Sequence, residues 1–289
     1  MIKPMLCKLA SQAFDDDRYQ WEIKYDGARC IARCEAGGHQ LWSRSGREMT
    51  KAFPELDLRT RVSVILDGEL VCYQNGKSVF NGIQHRTTRE NNVLWASGQY
   101  PATFEVFDIL EASNIDLKGY PLTRRKEVLN TILIPTQNVH IARIEDSGVK
   151  LYQEVEQKEL EGVIGKLKAG RYLPGKRDWL KVKVPKWEEL VICGYTQGTG
   201  WRTSTFGALI LGRRDFDLVY VGAVGTGFDD LEIARIDKRI KSLPVVPCPF
   251  GKEPEPATWI KPEIRCRIKF AEYTNDGKLR FPSYKGMTN

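Results

Sequence analysis

The texture of the chain changes at Pro185-Lys186-Trp187-Glu188-Glu189, and that change constrains the fold more than any other feature. Beyond it come short, glycine-punctuated segments of strand character at 190–195, 206–211, 218–224 and 264–272. A helical stretch, 229–243, interrupts them. Asp229 and Asp230 stand at its start and Lys238, Arg239 and Lys241 at its end, the charge order a helix dipole favours. Such a run of short strands with one inserted helix suits a small β-barrel of the OB type. Before the break, strand-like pieces at 21–24, 28–34, 40–43, 163–166 and 179–184, with apolar runs at 64–73 and 103–110, alternate with two helix candidates. The first, 122–133, has apolar residues at 122, 128, 129, 132 and 133 with basic residues read as the opposite face; the second is 149–160. The expectation is an α+β protein, with residues 1–186 forming antiparallel sheets with helices and 187–289 forming the barrel. A chain of 289 residues is long enough for two such cores.

Hydrophobic residues at 42% and charged residues at 28% describe a soluble globular chain. Its net charge of +7 suits a polyanionic partner. No apolar run reaches the length of a signal peptide or a membrane span. Seven cysteines lie scattered without a framework, and an odd number cannot all pair, so reduced thiols in a cytoplasmic protein are expected. Cys30 and Cys34 fall on one expected strand, about 13 Å apart. Zinc ligands must each reach within about 2.3 Å of the metal, so this pair does not form a structural site.

Residues 24–29 read Lys-Tyr-Asp-Gly-Ala-Arg between two strand-like segments. A lysine amine can attack the α-phosphate of a nucleotide and hold it as a phosphoramide. Taken alone, the hexamer also reads as a strand end followed by an Asp-Gly turn. Its company along the chain decides between the two. Ser43-Arg44-Ser45-Gly46 follows, then Asp67-Gly68-Glu69, Phe104-Glu105-Val106-Phe107-Asp108, Glu161-Gly162-Val163-Ile164-Gly165-Lys166 and Trp179-Leu180-Lys181-Val182-Lys183. Lys181 and Lys183, two apart on a strand, share a face. An unperturbed lysine pKa of about 10.4 is unhelpful to a nucleophile, so Arg29, Lys181, Lys183 and a bound metal are expected to lower that of Lys24. The same cations would neutralise a triphosphate as pyrophosphate departs. Glu69 and Glu161 are hard oxygen ligands of the kind a Mg²⁺-nucleotide site needs.

In that order and spacing the series resembles the covalent nucleotidyltransferase superfamily of ATP-dependent DNA ligases, RNA ligases and capping enzymes. The second part carries Gly194–Arg202, Phe206–Gly212, Val221–Phe228, Phe270–Thr274 and Leu279–Gly286. It resembles the OB domain of bacterial and archaeal ATP-dependent DNA ligases, especially the ligase module of bacterial end-joining enzymes. The resemblance implies ATP and Mg²⁺ or Mn²⁺ as cofactors, with Lys24 as the residue that becomes linked to AMP. It implies that Glu161 is the metal-linked glutamate and that Glu69 contacts ribose or a metal. Arg29 and Arg44 would contact the nucleotide sugar and phosphate, and later the nick phosphate. Phe107 would stack on adenine, although a core phenylalanine fits that position nearly as well, and Glu22 would read the adenine amino group.

Relatives commonly carry a further arginine after the Lys-Gly element, where this chain has Met287-Thr288-Asn289, so Arg280 and Lys285 become the expected cations for pyrophosphate. The implied partners are nicked duplex DNA, held in a basic cleft between the domains, and a Ku-like end-binding protein. No membrane is involved, and the chain would act as a monomer in the cytoplasm. An RNA ligase or capping-type guanylyltransferase would share the lysine chemistry, but the ligase-like barrel ending disfavours it. A non-catalytic nucleic-acid-binding module would have no need of Lys24, Glu161, Lys181 and Lys183 together. Gly170–Arg177 nearly spells a P-loop, but the closing Ser/Thr is Arg177 and a strand pattern follows where a helix should open.

Overall fold

The computed structural model describes residues 2–78, 80–88, 93–214, 216–274 and 276–288. The chain divides into two compact units, Met1–Val184 and Pro185–Asn289. Lys186 and Trp187, on either side of the cut expected from the sequence, both belong to the first strand of the second unit, Lys186–Gln197.

Two large sheets, with a small one pairing Arg59–Thr60 and Leu133–Ile134, make up the first unit. One runs in the order Leu6–Leu9, Arg177–Lys183, Gly162–Leu167, Tyr19–Ile23, Ile144–Glu145. The other runs Val139–Ile141, Ala102–Ala112, Val64–Gln74, Ala28–Glu35, Gly38–Ser43. Because successive strand residues face opposite sides, each sheet has two apolar faces to cover. Helices α1 (Phe80–Thr88), α2 (Val93–Gln99), α3 (Leu122–Ile132) and α4 (Gly148–Gln157) accompany them. On the first sheet, Trp21, Val163 and Val182 from three adjacent strands pack against Leu151 and Val155 of α4. Its opposite face brings Trp179 to Ile31, Phe107 and Leu110 of the second sheet. The far side of the second sheet carries the largest core, in which Leu66, Leu70, Phe104 and Ile109 meet Leu129 of α3.

The Asp26-Gly27 segment is not a hairpin turn. Tyr19–Ile23 and Ala28–Glu35 lie in different sheets, so residues 24–27 carry the chain across from one to the other. Glycine is required at 27 because a Cβ there would lie 2.1 Å from the Leu70 carbonyl oxygen. The basic side of α3 also differs from the sequence expectation. Arg125 and Lys126 are buried, at 1% and 4% exposure, on the same face as Leu122 and Leu129. Arg125 forms a two-pronged pair with Asp108 at 2.7 and 2.9 Å, and Lys126 stands 2.7 Å from Glu22. The P-loop look-alike does not open a helix and leads into the Arg177–Lys183 strand. All seven cysteines are free thiols.

The second unit is a five-stranded antiparallel sheet in the order Leu218–Val224, Phe206–Arg214, Lys186–Gln197, Thr258–Phe270, Ser283–Thr288. Helix α5 (Asp230–Lys241) lies in sequence between the Leu218–Val224 and Thr258–Phe270 strands, which is the OB order. Asp229 caps it by accepting the Glu232 N–H at 2.7 Å. Ile233, Ile236 and Ile240 turn inward onto Leu190, Phe206, Leu209 and Ile268. A hydrogen bond from Tyr284 N–H to the Thr226 carbonyl, 3.0 Å, ties the last strand to the segment after Leu218–Val224.

Candidate active site

Glu22 and Lys24 are two residues apart at the end of the Tyr19–Ile23 strand, so both project from the face that looks toward the second sheet. The Lys24 N–H donates to the Gly162 carbonyl at 2.9 Å and registers this strand end against the next. Gly162 has φ +149°, and a Cβ there would sit 2.1 Å from the Val182 carbonyl oxygen. Only glycine lets the backbone bring Glu161 this close to its neighbours. The Lys24 ammonium then donates to Glu161 Oε2 at 2.5 Å, while Lys183 Nζ lies 3.5 Å from Glu161 Oε1. Lys181 shares the face of Lys183, since buried Val182 between them points the other way.

This arrangement corrects the expected electrostatics of Lys24. Burial works against the ammonium, but the Glu161 carboxylate, aided by Glu69 and Asp26, outweighs it and holds the Lys24 pKa above its ordinary value. The neighbouring cations do not lower it in this state. Lys24 is therefore held as an ammonium, with the Glu161 carboxylate as its hydrogen-bond acceptor.

From the facing sheet come Arg29 and Glu69, which are cross-strand neighbours. Burial pushes the Glu69 carboxyl up, Arg29 and Lys24 pull it back, and the charges of Glu161 and Asp67 raise it again, leaving it at about 7. Two carboxylates that feel one another beside Lys24 fit a hard divalent cation. Among the described residues no cluster of three or more Asp, Glu, His or Cys could cage a metal by itself. Mg²⁺ needs no such cage, because it takes one or two carboxylates and completes its shell with water and phosphate oxygens.

Arg29 is fixed by a residue the sequence reading left without a role. Asp67, fully buried, receives both prongs of the guanidinium at 2.6 Å and also the Tyr172 hydroxyl at 2.6 Å. Arg29 donates further to the Met5 carbonyl at 3.2 Å and lies 4.5 Å from the centre of the Phe107 ring. Burial opposes the Arg29 charge, yet Asp67 more than offsets it and raises the pKa. Phe107 is buried at 8% exposure, edge-on to Trp179 and with Lys166 Nζ 4.4 Å from its ring centre. Glu22 is buried between Lys126 and Lys166. Burial would raise its pKa, and the two ammonium groups bring it below the ordinary carboxylate value. Arg44 stands exposed in the turn after the Gly38–Ser43 strand. In the second unit Arg280 and Lys285 are both exposed, Arg280 at the end of the two-residue strand Leu279–Arg280 and Lys285 on Ser283–Thr288.

The structure thus brings Glu22, Lys24, Arg29, Glu69, Phe107, Glu161, Lys181 and Lys183 onto the facing surfaces of two sheets. Sequence reasoning missed Asp67, Tyr172, Lys126 and Lys166. Asp67 opens and Lys166 closes a motif that was read, and that position was the available signal; nothing local marks Tyr172 or Lys126. A lysine amine held by a carboxylate that a second lysine also attends, between the facing surfaces of two sheets, is the arrangement that the lysine-dependent nucleotidyltransferase resemblance implies. Its family is narrower. The family model for the ATP dependent DNA ligase domain matches residues 4–183, and that for the ATP dependent DNA ligase C terminal region matches 202–289. The chain belongs to the ATP-dependent DNA ligases.

Among its relatives, the multifunctional non-homologous end joining protein LigD of Mycolicibacterium smegmatis is 31% identical over 98% of this chain and 38% of its own length. The chain thus spans about two fifths of the LigD proteins it matches. The SPbeta prophage-derived DNA ligase-like protein LigB of Bacillus subtilis is 28% identical over 98% of both chains. Among solved structures, the ligase domain of M. tuberculosis LigD superimposes with a TM-score of 0.58 at 27% identity, covering 99% of this chain and 95% of that one. A mycobacterial DNA ligase D complexed with ATP and MES gives 0.57 at 27% identity, with the same coverage.

Proposed function

We propose that this chain seals nicks in duplex DNA, using ATP and passing through a Lys24-linked AMP. The observation that carries the reading is the Lys24–Glu161–Lys183 contact, in which one carboxylate holds the nucleophile at 2.5 Å and a second cation at 3.5 Å. In the first step the neutral Lys24 amine attacks the α-phosphorus of ATP. Lys24 first passes its ammonium proton to Glu161; a P–N bond then forms, the P–O bond to pyrophosphate breaks, and the proton that the nitrogen loses on becoming a phosphoramide leaves with the pyrophosphate. Lys181, Lys183, Arg280 and Lys285 offset the charge of the triphosphate and the departing pyrophosphate. In the second step a 5′-phosphate oxygen at the nick attacks the AMP phosphorus, breaking the P–N bond and returning the Lys24 amine. In the third, the 3′-hydroxyl attacks the activated 5′-phosphorus and AMP leaves.

Glu161 and Glu69 would hold the divalent ion, which when bound shields phosphate charge. Phe107 forms the apolar wall for the base. Arg29, made rigid by Asp67, and exposed Arg44 contact sugar and phosphate. Residues 1–184 form the adenylation unit and the remainder an OB unit that contributes cations. The physiological role is strand joining in DNA repair or end joining, in the cytoplasm, with a Ku-like end-binding protein as the recruiting partner. The enzyme acts as a monomer, and DNA affinity falls with salt because phosphate contacts dominate it.

The test is incubation of the chain with Mg²⁺, a 5′-phosphorylated nicked duplex and either ATP or GTP. Sealing with ATP and not with GTP is expected. Self-labelling by GTP with no sealing would instead indicate capping-type chemistry.

A further inference from the structure

Lys126 and Lys166 converge on one carboxylate from two different elements. Lys126, on α3, stands 2.7 Å from Glu22 Oε1, and Lys166, on the Gly162–Leu167 strand, donates to Glu22 Oε2 at 2.6 Å. All three side chains are at most 5% exposed. Gln20 adds a weaker donor to Oε1 at 3.3 Å. A purely structural ion pair needs one lysine. The second leaves a surplus positive charge in a buried place, an arrangement that costs stability unless it serves a purpose. It also guarantees that Glu22 stays an ionised, acceptor-only group despite its burial.

A carboxylate offers about four acceptor positions. Gln20 donates to Oε1 and Lys166 to Oε2, while Lys126 adds an ion-pair contact at Oε1, so an acceptor position on Oε2 remains. That oxygen is on the same strand face as the nucleophile, two residues away, and Lys166 reaches under the Phe107 ring, 4.4 Å from its centre. The neighbouring ammonium groups only donate, so an amino N–H on a base beside Phe107 has Glu22 as its acceptor.

We propose that Lys126 and Lys166 are positioning residues that clamp Glu22 as a fixed acceptor for the exocyclic amino group of adenine, and so set base selectivity. The inference rests on the nucleotide-binding reading above. With only one clamp the carboxylate is free to rotate about its last bonds, and the directional hydrogen bond to the base is lost while the phosphate chemistry at Lys24 is untouched.

The experiment compares self-labelling of the wild-type chain, Lys126→Met, Lys166→Met and Lys126→Arg with ATP and with purine riboside triphosphate, which lacks the amino group. A hydrogen bond to a charged acceptor corresponds to a preference for ATP of about tenfold to a hundredfold in kcat/KM for the wild type. Each Met variant should reduce that preference to about threefold or less, through a raised KM for ATP with kcat nearly kept. Lys126→Arg should recover most of it. A Met variant that loses activity equally with both nucleotides, keeping the preference, overturns the proposal. So does failure of both Met variants to fold, which would make the lysines elements of folding. Equal use of the two nucleotides by the wild type removes the role of Glu22 while leaving the ligase reading intact. Labelling by neither removes the ligase reading itself.

Discussion

Asp67→Asn is the most informative single change, because the residue touches no proposed substrate yet holds one that does. The substitution keeps shape and an oxygen that can accept from Tyr172, but removes the charge under both prongs of Arg29. Breaking a buried ion pair from one side costs about 3–5 kcal/mol, since the remaining charge is stranded. The Met5 carbonyl and the Phe107 and Trp179 rings still attend the guanidinium, which places the expected cost near about 3 kcal/mol. For a unit of this size each kcal/mol shifts Tm by about 2–4 °C, so the first unit should melt about 6–12 °C lower by calorimetry. Self-labelling should fall more steeply than folding alone explains, because an unanchored Arg29 no longer pre-organises the sugar and phosphate. Adding Arg29→Met to Asp67→Asn should recover much of the lost stability, as the stranded charge is gone, while labelling stays low. If Asp67→Asn melts with the wild-type chain and labels at its rate, the buried pair carries neither stability nor orientation and the reasoning fails.

Other perturbations separate the remaining roles. In Glu161→Ala, burial is opposed only by the weaker pull of Glu69 and Asp26, so the Lys24 pKa should fall from its raised value. Lys24 should then react faster with an amine-acylating reagent at pH 8 while AMP labelling is lost; unchanged reactivity would mean Glu161 does not set its protonation. For Glu69 the folded carboxyl titrates at about 7, above its unfolded value near 4.5. Its contribution to stability is therefore full below about 4.5 and lost as pH rises through 7. A cation that binds the ionised form should accordingly raise Tm more at pH 8 than at pH 6, and Glu69→Gln should flatten that difference; a Mg²⁺ effect independent of pH would remove Glu69 from the ion. Arg280→Ala and Lys285→Ala should slow labelling from ATP while leaving sealing by pre-adenylated enzyme less affected, and an equal loss in both assays would end their assignment to pyrophosphate.

The two-unit plan was legible because the second unit is written in local signals. The Leu218–Val224 strand, the Asp229 cap and the Ile233, Ile236, Ile240 stripe each announce themselves within a few residues. The first unit was less so. Helix α1 carries Gly82, His85, Arg86 and Thr87 without an amphipathic stripe, and Arg86 is buried against Glu55 rather than solvated. On α3 the sequence marks Arg125 and Lys126 as a solvent face, but their partners Asp108 and Glu22 come from other elements, and only tertiary pairing pulls them inside. The Asp-Gly at 26–27 looked like a hairpin because turn chemistry is local, whereas the close approach of Leu70 that demands Gly27 is not. In the site, residue types and spacing picked out the carboxylates and lysines that meet around Lys24. What they could not give was the sign of the Lys24 shift, which depends on a 2.5 Å contact formed across 137 residues of chain.

The central claim is that Lys24 is the atom-bearing nucleophile, and the direct measurement is peptide mapping after incubation with α-labelled ATP and Mg²⁺. The label should be found on the peptide that contains Lys24, should survive base and be released by acid as a phosphoramide is, and should be absent from Lys24→Ala. Chasing the labelled protein with nicked duplex should move the AMP to the DNA 5′-phosphate. A label located on any other residue, or one that persists in Lys24→Ala, would contradict the account.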